Sequence, residues 1–164
     1  MMRAARMLAA GPALLLLAGC GFHLQRPAHL PPQFGAAWLE AADPYTDFHR
    51  ALDGALRTAG ARFAATRGTA TVVVEVLVDD PGQRVLSVSA LNKPTEFEVY
   101  YTVRYRARFG EREVLPPQVL TLTRDYSYDP ATLLAKEQEQ QLIREALARD
   151  IAALVVRRLA ALPP

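Results

Sequence analysis

The sequence has one cysteine and three histidines among its 164 residues. A single cysteine cannot form an internal disulfide, so the bridge framework that holds many small secreted domains together is excluded. Cysteine and histidine form no cluster with metal-ligand spacing, which argues against a bound metal ion. We therefore predict a domain that needs no metal and no other cofactor.

A clear excess of one charge is also missing. The chain has 19 basic and 17 acidic residues, and Arg3 and Arg6 belong to an N-terminal leader, so the remaining counts are equal. Nucleic-acid-binding domains usually carry a basic excess that neutralises phosphates, so this class is disfavoured. With 51% hydrophobic residues, the composition fits one globular domain behind a leader.

Catalytic motifs are lacking as well. There is no glycine-rich phosphate loop, and Ser87, Ser89 and Ser127 lie in strand-like stretches without the turn that exposes a serine nucleophile. His49 stands beside a predicted helix start, which is typical of a surface histidine. Because no acid–base pair can be defended, we predict that the protein is not an enzyme.

The N terminus has the pattern of a secretory signal. Residues 1–6 are short and basic, and residues 7–18 are almost wholly apolar. This run is too short to span a bilayer, which needs about 20 helical residues. Leu17-Ala18-Gly19-Cys20 then places small residues directly before a cysteine, as at the acylation site of bacterial lipoproteins. The alternative is an ordinary signal peptide that happens to end near a cysteine.

We predict a lipoprotein signal peptide over residues 1–19 and a covalent lipid, S-diacylglycerol plus an N-acyl chain, on Cys20. Each buried methylene contributes about 0.8 kcal/mol, so several acyl chains anchor firmly. Gly21 stands where an aspartate would hold many Gram-negative lipoproteins at the inner membrane, which favours the outer membrane. Residues 20–34, with three prolines, are predicted as the acylated anchor and an extended tether, and residues 35–164 as a single domain.

Helical signals occur twice in this domain. Asp43-Pro44 predicts the start of an amphipathic helix that ends at Gly60 and buries Phe48, Leu52 and Leu56. Asp129-Pro130 predicts a second helix, running to Leu162, either continuous or broken near Lys136. Its apolar stripe contains Leu142, Ile143, Ala146, Leu147, Ile151, Leu154, Val155, Leu159 and Leu162.

Strand signals fill the rest of the domain. A short strand is predicted at 35–40 and a buried strand at 71–78, which Asp79-Asp80-Pro81-Gly82 should break. Residues 96–109 alternate between polar and apolar, which indicates a long strand with one face on the core, and another strand follows at about 119–126. The element order predicts an α+β, two-layer sandwich of about four strands in a mixed sheet, with two helices on one face.

Two groups of basic residues are candidates for binding. Arg104, Arg106 and Arg108 share one face of the long strand, either as a solvated face or as a surface that docks onto a partner or an anionic lipid. Lys136 in the last helix and Lys93 in a turn between strands are either solvated or in contact with a phosphate.

Several segments together resemble the LptE family of lipopolysaccharide-assembly lipoproteins. Cys20-Gly21-Phe22-His23-Leu24 is similar to the start of mature family members. Residues 43–61 resemble the family's first helix, 95–109 its long central strand, and 123–159 its most distinctive stretch, with aromatics before Asp-Pro, then Ala-Lys-Glu and a long helix. The resemblance covers nearly the whole mature chain.

The resemblance implies an outer-membrane lipoprotein whose domain lies inside the lumen of the β-barrel translocon LptD. There it would plug the barrel, support barrel assembly and bind lipopolysaccharide during delivery to the outer leaflet. Because a barrel lumen is polar, the plug needs a polar outer face, for which Arg104, Arg106 and Arg108 are candidates. Phe22 and Leu24 are expected at the boundary between membrane and barrel.

The resemblance also implies that Lys136 occupies a basic position proposed to touch lipopolysaccharide. A second basic position, in the turn before the long strand, is not matched, since Ala90-Leu91-Asn92 stands there; Lys93 is a nearby substitute. Two other hypotheses stay open. One is a periplasmic accessory lipoprotein of another lipid transporter, with the same anchor and fold but no barrel. The other is a lipid-anchored hydrolase, against which the absent catalytic motif counts.

Overall fold

The computed structural model describes residues 28–128 and 133–163. Its elements in chain order are β1 (Ala37–Ala41), α1 (Asp47–Thr58), β2 (Val72–Val88), β3 (Pro94–Phe109), β4 (Arg112–Ser127) and α2 (Leu133–Ala160), with short 3₁₀ helices at Pro32–Ala36 and Arg67–Thr69. The predicted signal peptide, Cys20, Phe22, Leu24 and the Asp129-Pro130 helix start lie outside the described residues.

The predicted α+β sandwich is confirmed. The four strands form one mixed sheet in the order β1-β2-β3-β4, with β1 parallel to β2 and the other pairs antiparallel. The two helices pack against each other, and α2 lies against β3 and β4. The Phe48 ring of α1 meets the Tyr101 ring of β3 with centroids 6.4 Å apart. None of the helices in the described ranges is long and apolar enough to cross a bilayer.

The alternation predicted for the long strand is present in β3. Every second side chain faces the helices and is buried, namely Val99, Tyr101, Val103, Tyr105 and Ala107. The residues between them face the other side of the sheet, which carries no helix in the described chain and is called the open face below. Arg104, Arg106 and Arg108 lie on this open face, as their spacing predicts.

The predicted strand break at Asp79-Asp80-Pro81-Gly82 is wrong, because β2 runs through these residues and pairs with β3 along its length. Asp79 is held by two hydroxyl donors, Tyr101 Oη at 2.8 Å and Thr46 Oγ1 at 2.6 Å. Gly82 lies opposite Tyr100, and a Cβ atom there would come within 2.2 Å of the Tyr100 ring. Asp79 and Gly82, although their residue types favour turns, therefore make tertiary contacts within a continuous strand.

Helix α1 begins later than predicted. Thr46, rather than Asp43, is the N-cap, and its hydroxyl accepts from the His49 N–H at 3.1 Å. The Asp43 carboxylate instead accepts from the Tyr45 N–H at 2.8 Å in a local turn. Because Thr46 also donates to Asp79, the same residue starts α1 and ties it to the sheet.

The N-terminal part of the domain differs from expectation in two details. The first two residues of the strand predicted at 35–40 belong to the 3₁₀ helix Pro32–Ala36, so β1 begins two residues later, at Ala37, and ends one residue later, at Ala41. Residues 28–34, expected as tether, lie against the domain. The Leu30 N–H donates to Ala59 O at 3.2 Å, and Phe34 is 1% exposed in the core.

The C-terminal elements also differ in detail. Strand β4 begins at Arg112, earlier than predicted, and takes up Pro116-Pro117 at a register shift on the sheet edge, where proline is tolerated. Helix α2 is continuous through Lys136. Its apolar stripe is buried at Leu147, Ile151, Val155 and Leu159, but Leu142 is 64% exposed, so its assignment to the core is wrong.

Candidate functional site

Lys136 lies at a small pocket where three strands meet the first turn of α2. The cavity, of about 190 Å³, is called the lysine pocket, and it is lined by Gln83, Phe97, Tyr126, Tyr128, Lys136, Glu137 and Gln140. Ligand sites for drug-sized molecules usually measure ~300–1,000 Å³. The lysine pocket is therefore the size of a subsite that takes one group of a larger ligand.

Three aromatic rings form one wall of the lysine pocket. Phe97 of β3 and Tyr126 of β4 are direct cross-strand partners, and their rings stack at 5.8 Å and 18°. Tyr128 meets Phe97 edge-on at 5.2 Å, and its N–H donates to Thr95 O at 2.8 Å, which extends the β3–β4 pairing. The sheet register thus fixes an aromatic wall beside the lysine.

The Lys136 ammonium group is paired within its own helix. Its Nζ donates to Glu139 Oε2 at 2.7 Å and lies 5.9 Å from the centroid of the Tyr126 ring. The Lys136 side chain is 18% exposed and that of Glu139 is 45% exposed. Burial raises the pKa of Tyr126, as does the Glu139 carboxylate, whereas Lys136 opposes the shift. The pocket therefore has one cation with an internal counter-ion.

Lys93 lies at the same end of the sheet, in the turn between β2 and β3. The Ser89 N–H donates to Lys93 O at 2.8 Å, and Asn92 has a φ of 58°, as the tight turn requires. Lys93 is exposed. Residues 85–93, called the hairpin tip, also expose the apolar side chains Val85, Leu86, Val88 and Leu91. This end of the molecule thus combines cations with accessible apolar surface.

The open face has an ion-pair cluster centred on Glu75. Arg106 approaches Glu75 Oε2 at 2.7 Å through Nε and at 2.5 Å through Nη2. Arg67 and Arg108 lie 3.9 and 3.8 Å from Glu75 Oε1. Glu75 is only 7% exposed although no α-helix of the described chain covers it, because these arginines lie around it. The cluster was not predicted; a glutamate inside an apolar strand was the available signal.

The three arginines predicted to share one face of the long strand therefore have different environments. The charges of Arg106 and Arg108 are engaged by Glu75, and Arg108 also pairs with Glu111 at 2.8 Å. Arg104 is exposed, and within residues 28–128 and 133–163 it has no carboxylate oxygen within 4 Å. Of these three arginines, only Arg104 has a guanidinium group that no carboxylate of the described chain compensates.

No cofactor chemistry is indicated by the described part of the chain. In residues 28–128 and 133–163, no group of three or more histidine, cysteine, aspartate or glutamate side chains could hold a metal ion. The lysine pocket and the open face hold the predicted candidates Lys136 and Arg104, Arg106 and Arg108.

Comparison with known proteins agrees with the fold. Residues 36–159 match the family model described as LptE, lipopolysaccharide-assembly. The chain belongs to the LptE family. Membership confirms the resemblance predicted from the sequence and makes the chain a lipoprotein of lipopolysaccharide assembly.

LptE relatives cover most of the chain. The LPS-assembly lipoprotein LptE of Pectobacterium atrosepticum is 29% identical over 151 residues, which are 91% of this chain and 81% of the relative. The protein of the same name from Yersinia enterocolitica is 27% identical, over 93% of this chain and 74% of its own length.

Solved lipoprotein structures share the fold. The solution structure of an uncharacterized lipoprotein B from Nitrosomonas europaea is 23% identical, with a TM-score of 0.71, over 86% of this chain and 91% of that one. The crystal structure of rare lipoprotein B from Shewanella oneidensis is also 23% identical, with a TM-score of 0.67, over 77% of this chain and 94% of that one.

Replacing the central carboxylate tests the ion-pair cluster. We expect Glu75→Gln to lower the free energy of unfolding by about 2–3 kcal/mol, because the partly buried Arg106 and Arg108 lose a common carboxylate partner. Glu111→Gln removes the same charge from a side chain that is 100% exposed, and should change stability little. Urea unfolding followed by circular dichroism measures both. Equal effects of the two substitutions would contradict the central role of Glu75.

Proposed function

We propose that this LptE-family chain is an outer-membrane lipoprotein, acylated at Cys20, whose domain plugs the LptD β-barrel translocon and supports its assembly. It binds lipopolysaccharide during delivery to the outer leaflet and catalyses no reaction. The observation that carries the proposal is the division of the molecule into an amphiphilic end for the lipid and, for the barrel, an open face on which Arg104 has no carboxylate partner in the described chain.

Lipopolysaccharide binding is supported by the end of the sheet that holds Lys136 and the hairpin tip. Lipopolysaccharide is an amphiphile with phosphate groups beside acyl chains. Lysine ammonium groups pair with phosphate, and exposed apolar side chains contact hydrocarbon. Lys136 and Lys93 provide the cations, and Leu91, at 80% exposed, is the most accessible apolar side chain of the hairpin tip.

The plug role is supported by the open face. A barrel lumen is polar and water-filled, so a domain inside it must offer polar groups to the wall. The centre of the open face carries Arg104, with the hydroxyl groups of Thr102 and Thr121 3.0 Å apart beside it. Since Arg106 and Arg108 are engaged by Glu75, we assign the main barrel contact on this face to Arg104.

Charge reversal at Arg104 tests the barrel contact. We expect Arg104→Glu to lower the yield of LptD captured with the chain from mild detergent, because its guanidinium group is free to meet the barrel. Arg157→Glu makes the same change on an exposed arginine of α2 and is the control. A normal yield with Arg104→Glu would contradict this contact. Absence of any barrel protein from the wild-type capture would overturn the plug role and favour the accessory-lipoprotein alternative.

Charge reversal at Lys136 tests lipid binding. We expect Lys136→Glu to weaken lipopolysaccharide binding by roughly tenfold, the effect of losing one charge-assisted hydrogen bond, and to leave barrel capture normal. Binding of purified lipopolysaccharide to the acylated chain in detergent measures this, with circular dichroism to verify folding. If Lys136→Glu binds as tightly as the wild type, Lys136 is not a lipid contact.

A further inference from the structure

We infer that the lysine pocket is a phosphosugar subsite in which Glu139 competes with the ligand for Lys136. A phosphate on a sugar ring displaces the Glu139 carboxylate from the ammonium group, and the ring lies against the wall formed by Phe97, Tyr126 and Tyr128. This inference rests on the proposed function, because it names the part of the lipid that the site takes and the residue that limits its affinity.

The pairing of Lys136 is the first observation. In the described chain, Glu139 is the one carboxylate that the ammonium group contacts, at 2.7 Å. The two residues are three apart on one helix, and the Glu139 side chain is 45% exposed. The Lys136 side chain is mostly buried, but the Glu139 carboxylate is half-exposed, so solvent screens the pair from the Glu139 side and an incoming dianionic phosphate can replace that carboxylate. Glu139 thereby lowers the affinity without preventing binding.

The aromatic wall is the second observation. Phe97 and Tyr128 are half-buried, so parts of both rings remain accessible from the cavity, and Tyr126 closes the wall behind them. Sugar rings present C–H groups that pack against aromatic rings, whereas their hydroxyl groups need amide or carboxyl partners. Gln83 and Gln140 provide amides in the same lining. Aromatic rings with a few polar groups are typical of a site that fixes the orientation of its ligand.

The size of the cavity is the third observation. A volume of about 190 Å³ fits one ring and its phosphate rather than a whole glycolipid. The exposed apolar side chains of the hairpin tip lie at the same end of the sheet, outside this cavity. The acyl chains of a glycolipid can therefore leave the lysine pocket toward the hairpin tip. A simple glycerophospholipid provides a phosphate but no ring for the aromatic wall.

A gain of affinity tests the competition. The probes are lipid A, the same lipid with its phosphates removed, and phosphatidylglycerol, each dispersed in the same mild detergent and titrated against the acylated chain. We expect Glu139→Gln to bind phosphorylated lipid A about two- to fivefold more tightly than the wild type does. Its affinity for dephosphorylated lipid A should equal that of the wild type. Glu145→Gln removes the same charge from the same helix away from the pocket and should match the wild type.

The aromatic wall needs its own variants. We expect Tyr128→Leu to weaken binding of phosphorylated lipid A and to leave phosphatidylglycerol binding unchanged, while Tyr128→Phe binds normally because the ring is kept. Tyr45→Leu replaces a tyrosine that is 81% exposed and outside the pocket, and serves as the control.

The possible failures are distinguishable. Affinity of Glu139→Gln equal to or weaker than that of Glu145→Gln overturns the competition. Equal effects of Tyr128→Leu on lipid A and on phosphatidylglycerol overturn the sugar-ring contact. Either result is compatible with lipopolysaccharide binding by the wild type and its loss in Lys136→Glu. In that case the inference is wrong but the proposed function is still supported. If the wild type binds no phosphorylated lipid A at all, the lipid-binding part of the proposed function fails with the inference.

Discussion

Two hydroxyl groups donate to the carboxylate of Asp79, one from Tyr101 in β3 and one from Thr46 at the start of α1. This contact lies in a stretch of β2 whose residue types favour a turn, and it joins both layers of the sandwich at one point. Because β2 continues past it to Val88, the β2–β3 hairpin is long enough to carry Lys93 and the apolar hairpin tip beyond the helical layer. The end that we assign to the lipid depends on this continuity.

The molecule has two separate clusters of charged side chains, one on the open face and one at the lysine pocket. On the open face, Glu75 neutralises Arg106, whereas Arg104 has no carboxylate partner in the described residues. At the lysine pocket, Glu139 engages Lys136 across one helical turn. The Glu75 and Glu139 carboxylates both lower the positive electrostatic potential around these cations, which weakens nonspecific attraction of anions. Recognition of a phosphate then requires displacement of a partner and a fitting ring, which favours specific over nonspecific binding.

The spacing of apolar residues in the sequence was sufficient to predict the main helices and strands. The alternation from Phe97 to Phe109 gave β3 and its two faces, and Phe48, Leu52 and Leu56 gave the buried side of α1. Prediction from local residue preferences failed at Asp79 and Gly82, where tertiary contacts keep the strand continuous. It also failed at the start of α1, where Thr46 rather than Asp43 caps the helix. The partners Glu75 and Glu139, and the Phe97–Tyr126 pair, depend on strand register and helix rotation, which a single sequence does not specify.

If the proposed function is right, the hairpin tip meets the lipid while the open face meets the barrel. Site-specific photo-crosslinking in living cells tests it most directly, with the photoreactive residue at Leu91 in the hairpin tip or at Val119, opposite Arg104 on the open face. We expect a lipopolysaccharide adduct from position 91 and a barrel-protein adduct from position 119. A barrel adduct from position 91 without lipopolysaccharide, or no protein adduct from position 119, would contradict it.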